Sequence, residues 1–348
     1  MRTVSAKTIR EEELPKPVPG PGQALVRIDH VTLCGTDLHI WEDDYTTELP
    51  LIQGHELSGT ITELVPGSGS REALAEGVRV AIDPLDTCGE CQACRRGRGN
   101  VCPHLTVLGC YGDGGFAEYV VVPQERLYPI PDSLPSDLAP VAEPIAISLE
   151  AVTRGRATGE DTVLVLGAGP IGLLATLALH DLGATVVTAD TLPGRLELAK
   201  RFGADHTLLI DPTQDFPAET LAGYIGDRAA DGPELVIEAT GVPSSLTNAI
   251  RAVAPAGRVV QVGISTRPTN FPLNLVPFKE VDILGSRNSQ GLIPQALELI
   301  ARHQDTVRSL LTHRFRIRDL ESAFATLGDP SQNVGKILID MHPEEAAS

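Results

Sequence analysis

The pattern of apolar and polar positions changes character once, near residue 150. Before it, the runs ALVRIDHVTL, GTITELV, RVAIDP and AEYVVVP are alternating or β-branched and are separated by Gly and Pro turns. That pattern predicts short strands of a β-rich domain. From Asp161 the reading shifts to a buried strand (DTVLVLGAG), a helix (IGLLATLALHDLG) and a second strand, TVVTAD. RLELAKRFGA reads as a helix ending at Gly203. HTLLID, LVIEATG, RVVQVGI and VDILGS read as strands, with a helix opening at Ser244. Strand alternating with helix over roughly 130 residues predicts a parallel, doubly wound α/β sheet. After Ser286 come two helical stretches, LIPQALELIARH and LESAFATL, and a terminal strand, GKILID. No helix follows that strand, so it is expected to return to the first domain. The expected division is residues 1–150 with 287–348, and residues 151–286, with the tail HPEEAAS frayed.

Composition narrows the class. A chain of 348 residues suits two domains, and 42% hydrophobic with 21% charged residues is ordinary for a soluble enzyme. The formal net charge of −18 offers no basic face to nucleic acid. The N-terminal MRTVSAKTIREEELPKP has no signal-type apolar run, and no stretch reaches the ~18 apolar residues of a membrane helix. A cytoplasmic protein is expected.

All six cysteines fall in the first third, at 34, 88, 91, 94, 102 and 110. Cys88, Cys91, Cys94 and Cys102 lie in the hydrophilic segment TCGECQACRRGRGNVC, about residues 86–104. Four thiolates so closely spaced can close a tetrahedral zinc cage with no open position, a structural site. An iron–sulfur ferredoxin pattern is matched by Pro103 but not by the long last gap. A catalytic zinc instead needs two or three protein ligands and an open position. Cys34 and His55 supply two; Cys110 is the only other free cysteine, so a carboxylate is expected as the third.

Gly167-Ala-Gly169-Pro170-Ile171-Gly172 follows an apolar strand and opens a helix, as a dinucleotide-binding turn requires. Asp190 ends the next strand 18 residues beyond Gly172, where a carboxylate accepts from ribose hydroxyls and repels a 2′-phosphate. This points to NAD rather than NADP, with Arg195 nearby as a contact to an adenine face or a phosphate. Thr240, Val262 and Gly263, after the later strands, complete the expected cofactor contacts.

Taken in order, Cys-Gly-Thr-Asp at 34–37, Gly-His-Glu at 54–56, the four-cysteine lobe, GGFAEY at 114–119, AEP at 142–144 and GAGPIG at 167–172 resemble the zinc-containing medium-chain dehydrogenase/reductases. The resemblance runs from about Val4 to Asp340; Val65 departs from it, standing where a small residue is usual. It implies a GroES-like catalytic domain joined to a Rossmann domain, with two zinc ions per chain. Glu143-Pro resembles the polyol and threonine dehydrogenase branches. By resemblance, Cys34, His55 and Glu143 hold the catalytic zinc, with Glu56 beside them as an exchangeable or water-bridged ligand. Asp37 accepts the second ring N–H of His55, and Thr36 passes the substrate proton through the nicotinamide ribose to His39. Homodimers or homotetramers joined through the last Rossmann strand, VDILG, are implied as well.

The substrate reading is coarser. VLGCYGDGGFAEY, AEPIAIS and ILGSRN resemble sugar-acid and polyol dehydrogenases, and CGTDLHIW resembles threonine 3-dehydrogenase; cyclitol dehydrogenases are a third relative. Trp41 is expected either to wall the pocket or to pack in the core. Arg287, followed by Asn288, is expected to pair with a substrate carboxylate or to contact the cofactor or a domain-interface carboxylate. A non-catalytic NAD-binding redox sensor is the alternative from another class.

Overall fold

The structure, a computed structural model, describes residues 1–342; the tail expected to fray lies outside them, from 343 on. The chain forms two compact units, Met1–Glu143 with Ile293–Ser348, and Pro144–Leu292. The divisions expected at 150 and 287 therefore shift. The first expected boundary falls inside the helix Ala142–Arg154, which has no break there, and the second falls in the irregular segment preceding the helix Ile293–Arg302.

The first unit is built on a seven-stranded sheet. Its order is Leu311–Arg316, Lys336–Asp340, Gln23–Thr32, Glu56–Leu64, Arg79–Ile82 and Leu127–Pro129, with Tyr119–Pro123 also paired to Gln23–Thr32. The pairing is antiparallel except between Leu311–Arg316 and Lys336–Asp340. The terminal strand thus lies beside one of the first, with Leu338 opposite Thr32. Val26, Ile28, Val31, Leu57, Ile61 and Ile339 from these strands fill the core with Phe116 and Phe324. Burying one such side chain contributes on the order of 2 kcal/mol, so the sheet is a rigid platform for what sits at its ends.

The second unit is a six-stranded, wholly parallel sheet ordered His206–Leu209, Thr185–Asp190, Thr162–Leu166, Leu235–Glu238, Arg258–Gln261 and Asp282–Gly285. Counted along the chain this is 3-2-1-4-5-6, the doubly wound dinucleotide order. All five residues of Thr162–Leu166 are buried, as a strand covered on both faces by helices must be. The helices Pro170–Leu182, Pro193–Arg201 and Pro243–Ala252 each begin with proline, whose fixed φ suits a first turn that needs no N–H there. Among the described residues no helix is long and apolar enough to cross a membrane.

Candidate active site

In the first unit the chain leaves the strand Gln23–Thr32 and turns at Cys34, the N-cap of the helix Gly35–Trp41. Asp37, fully buried in the first turn, accepts from the Cys34 N–H at 2.9 Å with Oδ2 and from the Gly54 N–H at 3.3 Å with Oδ1. One carboxylate therefore ties the backbone of Cys34 to that preceding His55. The same Oδ1 is 3.5 Å from His55 Nδ1, and Cys110 Sγ lies at an equal 3.5 Å. With Nδ1 so engaged, Nε2 is the ring nitrogen left to face a ligand. Burial opposes charge on this ring, but Cys110 and Asp37 outweigh it and raise the His55 pKa well above the usual histidine range.

The ligand atoms of Cys34, His55 and Glu56 lie within 4.8 Å of one another. Glu56 stands opposite Thr32 in the sheet and is almost fully buried. Its Oε2 accepts from the Thr32 hydroxyl and its Oε1 from Lys336 Nζ, a buried ion pair between residues 280 apart in sequence. Lys336 also donates to the Leu33 carbonyl at 3.2 Å. Burial alone would lower the Lys336 pKa, and the Glu56 carboxylate, with Cys34 and Glu143, more than reverses that.

Glu143 begins the helix Ala142–Arg154, and its Oε2 is buried with no hydrogen-bond partner. Burial first, and the Glu56 carboxylate second, push its pKa up to about 8. A carboxyl pushed toward its neutral form and an imidazole pushed toward its charged form are the states a divalent cation would reverse, since it would stabilise carboxylate and neutral imidazole together. The donor set of one thiolate, one imidazole and carboxylates suits zinc.

Thr36 and His39 are one turn apart on the helix Gly35–Trp41, neighbours on its surface. His39 is exposed, with Nδ1 3.5 Å from Asp44. Of its two expected places Trp41 takes the core. It is 8% exposed and stacks on Phe324 at 5.3 Å between centroids and 9° between planes, inside the core cluster. The pocket-wall expectation is corrected: burying the large apolar indole against another ring outweighs presenting it to solvent.

The cysteine lobe is built differently. Cys88, Cys91, Cys94 and Cys102 also bring their sulfurs within 4.8 Å of one another, and none forms a disulfide. Cys91 caps the short helix Gln92–Arg95, its sulfur accepting from the Cys94 N–H at 3.4 Å. The Cys91 N–H donates to Cys88 Sγ and the His104 N–H to Cys102 Sγ, each at 3.3 Å. N–H groups of Glu90 and Cys91 hold the Cys88 thiol down at about 6. Cys94 is pushed up to about 11 by desolvation and by hydrogen bonds shared with Cys91 and Cys102. Backbone donors aimed at sulfur favour thiolates, the form that binds metal.

In the second unit a cavity of about 730 Å³ opens where the strands end; Gly167, Gly169, Asp190, Arg195 and Thr240 line it. An added Cβ at Gly172 would lie 1.8 Å from the Gly167 carbonyl oxygen, so the turn into the helix tolerates only glycine there. Pro170, Ile171 and Gly172 open that helix, beyond the cavity wall. Asp190 accepts from the Ala168 N–H at 2.7 Å and the Leu192 N–H at 2.9 Å, and Arg195 lies 3.8 Å away. Each carboxylate oxygen keeps a further lone pair for a ligand hydroxyl. Val262 and Gly263 follow the strand Arg258–Gln261, outside the cavity wall. Arg287 and Asn288 follow the strand Asp282–Gly285, Arg287 exposed and Asn288 at φ +51°. Sequence reasoning missed Thr32 and Lys336; a lysine opening an otherwise buried apolar strand was the available signal.

Comparison with known proteins agrees with this geometry. Residues 20–132 match the alcohol dehydrogenase GroES-like domain family, and residues 170–302 match the zinc-binding dehydrogenase family. The chain is similar to L-galactonate-5-dehydrogenase of Escherichia coli strain K12, with 37% identity over 90% of this chain and 88% of that one. Among solved structures it is similar to the short chain alcohol dehydrogenase rspB of E. coli CFT073, complexed with NADH. The TM-score is 0.88 with 32% identity, covering 98% of each chain. A dehydrogenase of Sinorhizobium meliloti 1021 bound to NADP gives a TM-score of 0.87 at 29% identity, again over 98% of each.

Proposed function

The chain belongs to the zinc-type alcohol dehydrogenase family, and from that premise we propose that it transfers hydride from a secondary alcohol of a polyol, sugar acid or cyclitol to NAD+. The observation that carries the zinc assignment is the unequal state of two neighbouring carboxylates. Glu56 has a donor at each oxygen, whereas Glu143 Oε2 is buried with none. An unmet buried acceptor costs roughly 1–3 kcal/mol, which a metal ligand would not incur. On this reading Cys34, His55 and Glu143 would be the three ligands, with a fourth position left for substrate, and Glu56, which the structure brings within 4.8 Å of Cys34 and His55, is the rival third ligand. The two negative charges of Cys34 and Glu143 balance Zn²⁺, and Glu56, neutralised by Lys336, is held in reserve as an exchange partner. The Cys88, Cys91, Cys94 and Cys102 lobe holds a second, structural zinc.

Zinc at this site supplies a Lewis acid that acidifies a substrate hydroxyl, and the nicotinamide supplies the hydride acceptor. The protein's own groups do the rest. Asp37, near His55 Nδ1, would fix the tautomer that leaves Nε2 free to bind a metal. Thr36 would take up the substrate hydroxyl proton, and His39, exposed on the same helix, would hand it to solvent. Asp190 prefers the unphosphorylated ribose, which favours NAD over NADP.

Free thiols suit a reducing cytoplasm. The edge strand Asp282–Gly285 is unpaired on one side, and Phe278, Leu273 and Ile264 are exposed at 79%, 78% and 85%. Such an edge beside apolar side chains supports pairing of two copies there. The deciding experiment is an NADH-formation screen over polyols, aldonates, cyclitols and 3-hydroxy amino acids, repeated with Arg287→Ala. Turnover of polyols or aldonates is expected, with roughly tenfold loss on aldonates alone in the variant if Arg287 pairs with the carboxylate. Turnover confined to 3-hydroxy amino acids would move the enzyme to the threonine-like reading that CGTDLHIW supports.

A further inference from the structure

Glu238 ends the strand Leu235–Glu238, in register with Leu166, the residue before the glycine turn. These adjacent strands flank the point where the sheet order reverses, outside whose carboxyl ends a dinucleotide lies. Glu238 is fully buried. Its Oε1 accepts from the Thr240 N–H at 2.8 Å and from the Thr240 hydroxyl. Its Oε2 accepts from the Gly241 N–H at 3.2 Å and from Gln261 Nε2 at 2.6 Å. Its backbone carbonyl accepts from the N–H groups of Val262 at 2.8 Å and Gly263 at 3.0 Å. One residue thus gathers the loops leaving two neighbouring strands.

The fit leaves no slack. A Cβ on Gly263 would come within 2.0 Å of Gly241 N and 2.7 Å of Glu238 Oε2. Thr240 in turn bears on the glycine turn, because a Cβ on Gly167 would lie 2.9 Å from Thr240 Cγ2. Thr240 also lines the cavity of this unit. The strands 162–209 make the first mononucleotide-binding half of the sheet, with Asp190 in it, and the strands 235–285 make the second.

We propose that Glu238 is a positioning residue for the nicotinamide half of the cofactor, fixing the loops at Thr240–Gly241 and Val262–Gly263, of which Thr240 lines the cavity of this unit. The proposal rests on unit 2 binding a nicotinamide dinucleotide. Glu238→Gln tests it, because every contact of this side chain is with a donor, and an amide turned either way points N–H at N–H or O–H. On the full-length, zinc-loaded protein, NADH affinity is read from nicotinamide fluorescence and AMP affinity by calorimetry. The variant should bind NADH roughly tenfold more weakly, the size of one lost charge-assisted hydrogen bond, and bind AMP within about twofold of wild type. Parallel loss for both nucleotides would mean that the residue only supports the fold, and an unchanged NADH affinity would mean that the loops do not need it; either overturns the proposal. Wild-type protein that binds neither nucleotide would sink the cofactor reading and the proposal with it. Should E238Q not fold, Gln261→Leu removes the Nε2 group that donates to Glu238 Oε2 and to the Gly263 carbonyl, and the same split, about threefold or more for NADH, decides.

Discussion

The two clusters of metal-ligating side chains are built in opposite ways. The lobe takes four thiols from a stretch of 15 residues, braced by the backbone N–H groups of Cys91, Cys94 and His104. The other site brings Cys34 together with His55 and Glu56 at the start of a second strand, with Glu143 on a helix as a further candidate, and pairs a cation, Lys336 of the last strand, with Glu56. A local cluster of one ligand type can close around an ion completely and do nothing but hold the chain. A dispersed cluster of unlike ligands can leave a position open, and its carboxylates can be tuned separately. Here the tuning is visible: Lys336 occupies Glu56, and nothing occupies Glu143 Oε2.

The comparison can be strained from both sides. Cys34→Ser should lower turnover roughly a thousandfold or more by removing a ligand of the Lewis acid, measured as NADH formation on the best alcohol of the screen. Glu56→Gln should leave most of the catalytic metal in place but strand Lys336 as an unpaired buried cation, costing about 3–5 kcal/mol in denaturant unfolding. Adding Lys336→Met should recover much of that loss, whereas Glu143→Gln should lose the catalytic metal. Equal metal loss in E56Q and E143Q would erase the distinction between the two carboxylates. The mildest effect on chemistry should come from Cys94→Ser. It should lower Tm by several degrees through loss of the lobe metal, yet keep kcat within about threefold.

What the sequence disclosed follows the same division. The lobe and the glycine turn were legible because their chemistry sits within one short segment, where spacing alone carries geometry. Strand and helix periodicity disclosed the parallel sheet in the same way. Cys34 and His55 were legible as two possible zinc ligands, but neither residue type singles out a metal by itself, and the third ligand was named only through resemblance to a family. Lys336 stood out in the sequence only as a lysine opening an apolar strand, and its partner was hidden because the pairing with Glu56 depends on the terminal strand lying against Gln23–Thr32. Trp41 stayed open between pocket wall and core for a related reason: the ring it stacks on, Phe324, belongs to a helix near the other end of the chain. Glu238 was read as part of an apolar strand, and its role rests on a loop contact that only the folded sheet creates.

The central claim is that both clusters hold zinc and only the dispersed one does chemistry. Elemental analysis of wild type, Cys34→Ser and Cys94→Ser, with turnover measured on the same samples, tests it most directly. Two zinc ions per wild-type chain, one in each variant, and turnover lost only in Cys34→Ser are the predicted results. One zinc per wild-type chain, or an active Cys34→Ser beside an inactive, folded Cys94→Ser, would contradict it.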